Sequence, residues 1–330
     1  MSTIAYLITD DPPKLSSVKP PTPATGCTLE YLDEGGANFV FRISPLSDEV
    51  LHPSLQGKLL RLRKDLAHLK STSEQLAAYQ QNLQPLFPDE HLIEHQLIRL
   101  DDELPTLLNT ALRQVARPSH RLPDTLLLNE PDGLLITDMT PQPGEVLLQL
   151  KPKWLAQSPT APPDSIRCRT CALRAQRASQ GSCTATDAQA SCPLYLVSDA
   201  KADRDRAAHS VSADVELRAY LTEQAQPLLR MLNEYQQRFD AQGCLNASEA
   251  ASVTDLCRAM TLRDCTLFVK RSGNRVEARL GDLDLKQLEK LSKWITIERR
   301  LISEGWYANV ETQQVWKRED VCRLARQSNH

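Results

Sequence analysis

The stretch "EVLLQLKPKWLAQSP", residues 145–159, decides how the chain is read. Val146, Leu147 and Leu148 open a buried strand, which is expected to run on through Gln149, Leu150, Lys151, Pro152 and Lys153. Side chains alternate along a strand, so Gln149, Lys151 and Lys153 are expected on one face, with Leu148 and Leu150 on the other. Two lysines aimed one way and stiffened by a proline call for anionic partners, unless each simply runs its stem along the surface to water.

On the N-terminal side, proline-rich "DDPPKLSSVKPPTPATG" (10–26) predicts a flexible lead-in over 1–26. "CTLEYLDEGGANFVFRIS" (27–44) reads as strand, Gly-Gly turn and strand, and "GKLLRLRK" (57–64) as a third strand. Apolar residues recur at helical spacing over 65–87 and 104–116. "TLLLN" (125–129) and "GLLITDM" (133–139) are two more strands separated by a turn. Beyond the opening stretch, a polar, cysteine-bearing insertion spans 157–212. Helices are expected near 213–239 and 248–262, a β-hairpin at 265–283 and a long helix at 285–303. This order predicts an α+β protein with an N-terminal lobe, 27–136, and a C-terminal lobe, 137–330. A ligand is expected in the cleft between them.

The 330 residues, 41% hydrophobic and 25% charged, are enough to bury a core of that size. A net charge of -3 gives no whole-chain argument for nucleic acid or a membrane surface, so neither is expected as a partner. Any anion site must be a local cluster. No apolar run is long enough to span a bilayer, and "MSTIAYLITDDPPKL" lacks a signal peptide's basic start and long apolar core. An intracellular protein is the expectation. Nine cysteines, scattered and odd in number, suit reduced thiols or a metal better than a disulfide framework.

Five clusters bear chemistry, each with an ordinary alternative. Gly35 and Gly36 let backbone N–H groups approach a phosphate, or make a plain hairpin turn. Arg61, one strand further, is placed to reach phosphates under that turn, or is a solvated edge arginine. Lys151 and Lys153 meet anions or snorkel. Asp264, where helix gives way to strand, accepts a proton from a hydroxyl or caps local N–H groups. Asp282 and Asp284, two residues apart, suit Mg²⁺, or cap the helix that follows. Lys286, Lys290 and Trp294 would follow on one helical face. Together these are the parts of a phosphoryl-transfer site. The surplus of lysines over what one nucleotide needs points to a polyanionic second ligand.

"EGGANFVFR", "LKPKW", "MTLRDCTLFV" and "DLDLK" resemble, in order, the motifs of the inositol-pentakisphosphate 2-kinases, and "KPKWLAQSP" with "RCRTCALR" is most similar to fungal members. The resemblance runs through 29–303 but leaves 180–245 unmatched. It implies a two-lobed, protein-kinase-like fold with ATP in the inter-lobe cleft. The implied reaction is Mg²⁺- and ATP-dependent phosphorylation of the 2-hydroxyl of inositol 1,3,4,5,6-pentakisphosphate, giving the hexakisphosphate. It also implies roles: Gly35, Gly36, Ala37 and Asn38 cover the ATP phosphates, Arg61 holds them, and Thr137, Asp138 and Met139 lie beside the adenine. Lys151 serves the transferred phosphate and Lys153 the inositide. Asp264 is the base and Asp282 the Mg²⁺ ligand, while Lys286, Lys290, Arg121 and Arg169 bind inositide phosphates. This chain departs from the family pattern in Gln149, where a glutamate is common, and in Arg263, Lys290 and Trp294, where lysine, arginine and tyrosine are usual. A monomer is expected, in the nucleus, the cytoplasm or both. A non-catalytic inositide-binding scaffold on the same fold is the competing reading, with Gln149 as its support.

Cys168, Cys171, Cys183 and Cys192 form one CxxC and two further cysteines. Four such thiols hold a structural zinc or pack as buried thiols in an insertion. The zinc of plant family members uses cysteine and histidine ligands elsewhere in the chain and does not transfer to these positions.

Overall fold

Apolar alternation in the first part of the chain produces strands that close on themselves. They are β1 (Ser2–Ile8), β2 (Lys14–Ser16), β3 (Thr25–Glu34), β4 (Asn38–Pro45), β5 (Lys58–Arg63), β6 (His95–Leu100) and β7 (Asp132–Thr137). The computed structural model describes residues 2–9, 11–21, 24–46, 50–182, 190–247, 250–308 and 322–327. The seven strands form a closed barrel in the order β1-β2-β6-β7-β5-β4-β3. Every second residue turns inward, so Leu29, Phe39, Phe41, Leu60, Leu62 and Ile98 meet in one core. Helix α1 (Thr72–Asn82) follows β5, and α2 (Leu104–Leu112) adds Leu104, Leu108 and Leu112 to the barrel core.

The flexible lead-in expected over 1–26 is corrected. Strand β1 pairs antiparallel with β3 from Ser2↔Glu30 to Leu7↔Thr25, and β2 pairs parallel with β6 through Lys14↔Arg99 and Leu15↔Leu100. Proline content suggested a linker, but Ala5, Leu7 and Leu15 are buried in the barrel core. Asp101 fastens this segment. One of its oxygens accepts from the Ser16 hydroxyl (2.9 Å) and from the Ser17 N–H (2.5 Å), and the other from the N–H of Leu104 at the start of α2 (2.7 Å). The strand expected at 125–129 reduces to a single bridge, Lys64↔Leu126.

The chain divides into two compact units, Met1–Gln81 with Ile93–Met139, and Asn82–Leu92 with Thr140–His330. The second contains an antiparallel sheet of β8 (Glu145–Leu150), β9 (Thr266–Ser272) and β10 (Arg275–Gly281), in the order β10-β9-β8. Its helices are α3 (Arg169–Ser179), α4 (Lys201–Val211), α5 (Val215–Ala219), α6 (Gln226–Arg238), α7 (Ala250–Leu262), α8 (Leu291–Ser303) and α9 (Arg323–Gln327). The single helix expected over 213–239 is broken by a π-helical turn at Tyr220–Gln224, after which Pro227 opens α6. A proline has no N–H to continue the ladder and is suited to a first helical turn. No helix among the described residues is long and apolar enough to cross a membrane.

Two corrections bear on the site. Strand β8 ends at Leu150, so Lys151 and Lys153 lie beyond the pleat and alternation does not govern them. Helix α8 starts at Leu291, after a short 3-10 turn over Leu288–Lys290, so Lys286 precedes the helix instead of sharing a face with Lys290.

Candidate active site

Antiparallel register gathers the candidate residues of the second unit. Leu150 pairs with Leu267 and Gly281 with Thr266, so the end of β8, the start of β9 and the end of β10 share one edge of the sheet. Lys151 follows the first, Asp264 precedes the second and Asp282 follows the third. Lys151 Nζ hydrogen-bonds the Asp264 carbonyl oxygen (2.9 Å) and lies 3.5 Å from a carboxylate oxygen of Asp264 and 3.5 Å from one of Asp282. Lys153 Nζ reaches Asp264 Oδ1 at 3.3 Å, and Lys286 Nζ reaches Oδ2 at 2.7 Å. Three lysines thus surround one carboxylate. Asp282 also accepts from the Thr266 hydroxyl, and its side chain is 61% exposed.

Electrostatics follow from that crowding. Burial works to raise the pKa of Asp264, but Lys286, and then Lys151 and Lys153, hold its carboxyl far below the ordinary carboxylate range. Lys290 is pushed down by burial and by repulsion from Lys286.

Backbone strain sits here too. Among the described residues, Lys153 (φ 59°) and Asp282 (φ 55°) are the non-glycine residues in the left-handed region. That conformation is costly for a side chain with a Cβ, persists only when the surroundings over-determine it, and clusters at functional sites.

Those surroundings can be named. The buried side chain of Gln236 on α6 accepts from the Leu155 N–H (3.0 Å) and donates to the carbonyls of Lys153 (2.9 Å) and Leu262 (3.2 Å). Trp154 carries the Arg263 guanidinium 3.4 Å from its ring centroid, with Arg169 at 4.9 Å. Arg263 pairs with buried Asp240 at 2.5 Å. Arg169, expected on the inositide, is buried, with Nε 3.3 Å from fully buried Glu298. Glu298 also accepts from Ser158 (2.7 Å), Thr160 (3.0 Å) and Tyr307 (2.7 Å). Arg169 and Arg263 therefore fix the lysine segment through Trp154. Trp294 packs in the same apolar cluster as Trp154, Leu256 and Met260. The Lys286 N–H donates to Thr261 Oγ1 of α7 (2.9 Å), placing that lysine.

In the first unit, the N–H of Gly35 donates to the Asn38 carbonyl (2.9 Å), and added Cβ atoms at Gly35 or Gly36 would meet nothing within 4 Å. Asn38, its carboxamide oxygen turned toward Arg61, accepts from Nε (3.1 Å) and Nη2 (2.7 Å). The glycine turn and the β5 arginine are thereby joined. Beneath the turn lies a network that sequence reasoning missed. Glu34 accepts from Lys64 Nζ (2.5 Å) and from Arg117 Nε (2.7 Å), and Lys64 also meets Asp124 at 2.6 Å. Burial opposes the Glu34 charge, but the hydrogen bonds from Arg117 and Lys64 outweigh it and hold the carboxyl at about 2. Arg121 donates to the Glu34 carbonyl. Ala37 accepts from the Lys64 N–H (2.9 Å), the Asp138 N–H donates to Gly57 (2.8 Å), Thr137 pairs with Lys58, and Met139 is buried.

The cysteines differ from expectation in one member. Cys168, Cys171 and Cys192 converge, but the fourth sulfur is that of Cys322; Cys183 lies outside the described residues. Spacing could not reveal Cys322, 130 residues beyond Cys192.

Comparison with known proteins agrees with the geometry. A family model described as inositol-pentakisphosphate 2-kinase matches residues 31–234 and 213–300, which span the glycine turn, the lysine segment and all three strand ends. The inositol-pentakisphosphate 2-kinase of Yarrowia lipolytica is 30% identical over 326 residues, covering 89% of this chain and 96% of that protein. With a match across most of its length and lysines and aspartates gathered at one sheet edge, the chain belongs to the inositol-pentakisphosphate 2-kinase family.

Proposed function

We propose that the protein transfers the γ-phosphoryl group of ATP to the 2-hydroxyl of inositol 1,3,4,5,6-pentakisphosphate, giving the hexakisphosphate. The observation that carries this reading is the convergence of Lys151, Lys153 and Lys286 on the Asp264 carboxylate, with Asp282 3.5 Å from Lys151. A pure binder of anions has no use for a carboxylate amid its lysines.

Asp264 takes the role of orienting the hydroxyl and accepting its proton. A carboxylate held far below its ordinary range is a weak base. A pentakisphosphate changes that balance, because its phosphates draw Lys153 and Lys286 toward themselves. As those cations turn to phosphate, Asp264 regains basicity as the hydroxyl arrives. Lys151, near both carboxylates, meets the phosphoryl group in transit. Lys290 and Arg121 add charge for inositide phosphates.

For ATP, the assignments are the turn of Gly35, Gly36 and Ala37 over the phosphates, and Asn38 with Arg61 on them. Thr137, Asp138 and Met139 accompany the adenine. The exposed oxygens of Asp282 are hard donors of the kind Mg²⁺ prefers, and Mg²⁺ when bound neutralises phosphate charge. Gln149, exposed at the end of β8, leaves this set of groups intact.

The test is transfer of labelled γ-phosphate from ATP to the pentakisphosphate, with the modified position read by NMR. Label at the 2-position, absent without Mg²⁺, supports the reading. Tight pentakisphosphate binding with no transfer would replace it with a scaffold role.

A further inference from the structure

Trp154 follows Lys153 in the chain and Arg263 precedes Asp264, so each member of the Lys153–Asp264 pair has one of them as a direct neighbour. Those two neighbours stack, with the Arg263 guanidinium 3.4 Å from the indole centroid. Nη1 of the same arginine meets Asp240 at 2.5 Å, and Nη2 donates to the Gln236 carbonyl at 3.3 Å. Its buried Nε makes no hydrogen bond, and the guanidinium is turned to the ring and to these two oxygens instead.

The last turn of α6 and the residues after it thus grip both halves of the pair. The Gln236 side chain donates to the Lys153 carbonyl (2.9 Å) and to the carbonyl of Leu262 (3.2 Å), two residues before Asp264. Arg263 closes the loop from Asp240 and Gln236 back to Trp154. Asp264 has a separate anchor at the end of α7: its N–H donates to Thr261 (3.0 Å), and the Arg263 N–H donates to Ala259 (2.9 Å). Lys153 lies beyond β8 in the left-handed region, so its place depends on the residues packed around it.

An ammonium is a single point charge. It cannot lie flat on an indole while separate nitrogens meet Asp240 and the Gln236 carbonyl, whereas a planar guanidinium does all three. Burial pushes Arg263 down and Asp240 up, so each charge depends on the other. We infer that Arg263, stacked on Trp154 and paired with Asp240, is a positioning residue that sets the separation of Lys153 from Asp264, and that the lysine usual at its position in the family cannot replace it in this chain. The inference rests on the reading of Lys153 as an inositide contact.

The experiment is calorimetric binding of inositol 1,3,4,5,6-pentakisphosphate to the full-length protein, with steady-state kinetics on the same variants. Arg263→Lys and Trp154→Leu should each raise Kd about five-fold or more, and KM should rise more than kcat falls, because α7 still holds Asp264. The double variant should be no more than about two-fold worse than the weaker-binding single variant, since both remove one stack. Leu217→Ala, in the buried face of α5, should lower Tm and leave Kd unchanged, which separates positioning from lost stability. If Arg263→Lys does not fold, Trp154→Phe and Trp154→Leu decide, as both keep the buried ion pair. The smaller ring should then weaken binding less than leucine does. Wild-type affinity in Arg263→Lys or in both Trp154 variants, or a double variant that multiplies the two single effects, would overturn the inference. Lys153→Met tests the underlying reading by itself. Unchanged affinity there would remove that reading and the inference with it, whereas weakened binding in Lys153→Met beside wild-type affinity in Arg263→Lys would remove the inference alone.

Discussion

In the proposed reaction Asp264 is the base, and its charge has to be managed, because three lysines share its one carboxylate. Asp264→Asn keeps the shape and removes the base, so kcat should fall by roughly 10²–10⁴-fold. Pentakisphosphate affinity should hold or rise, because the lysines lose an internal competitor. Steady-state kinetics with calorimetric binding separate the two effects, and unchanged kcat would remove Asp264 from the mechanism. Glu34 supports a different forecast. Its folded pKa of about 2 lies below the ordinary value of 4.5, so its stabilising contribution is complete above 4.5 and disappears as pH falls toward 2. Wild-type Tm should therefore drop on acidification through that window, and Glu34→Gln should flatten the drop. At neutral pH the substitution should cost about 3–5 kcal/mol, since it leaves Lys64 and Arg117 buried with a broken pair. At this scale the lysines and aspartates that converge on one sheet edge were legible by type and order. Glu34, Lys64 and Arg117 were not, because an ion network assembled from three distant segments has no spacing to read.

The decisive element is the edge of a three-stranded sheet. Hairpin character at 265–283 was visible in the sequence, and the register of that hairpin brings Asp264 and Asp282 together. The lysine strand was misread in one respect: it stops at Leu150, and Lys153 reaches Asp264 through a left-handed backbone instead of a pleat. No local rule predicts that, since the conformation is imposed by tertiary bonds from Gln236. Those bonds give the prediction for this scale. Gln236→Leu keeps the volume but strips the Leu155 N–H and the Lys153 and Leu262 carbonyls of a partner. Stability should fall by about 1–3 kcal/mol. KM for the pentakisphosphate should rise more than kcat falls, because the substitution loosens Lys153 and leaves Asp264 in place. Denaturant melts and kinetics check both, and an unchanged KM would show that Lys153 is held by other means.

At the scale of the molecule, alternation foretold several barrel strands, and the order of elements foretold mixed α and β structure. It did not foretell closure. The proline-rich start looked like a linker because proline dominates its composition, yet three buried apolar side chains and one aspartate place it in the barrel. Deleting residues 2–8 should therefore unfold the first unit instead of trimming a tail, which circular dichroism would register. The same limit hid Cys322, whose partners lie far back in the chain. The family match spans both compact units, so the kinase activity belongs to the chain as a whole. Its most direct test is incubation of the purified protein with Mg²⁺, ATP and inositol 1,3,4,5,6-pentakisphosphate, with products separated by anion exchange. A hexakisphosphate peak from wild type, lost in Asp264→Asn, is the predicted result. Unconverted pentakisphosphate in the presence of folded, pentakisphosphate-binding wild-type protein would contradict the account.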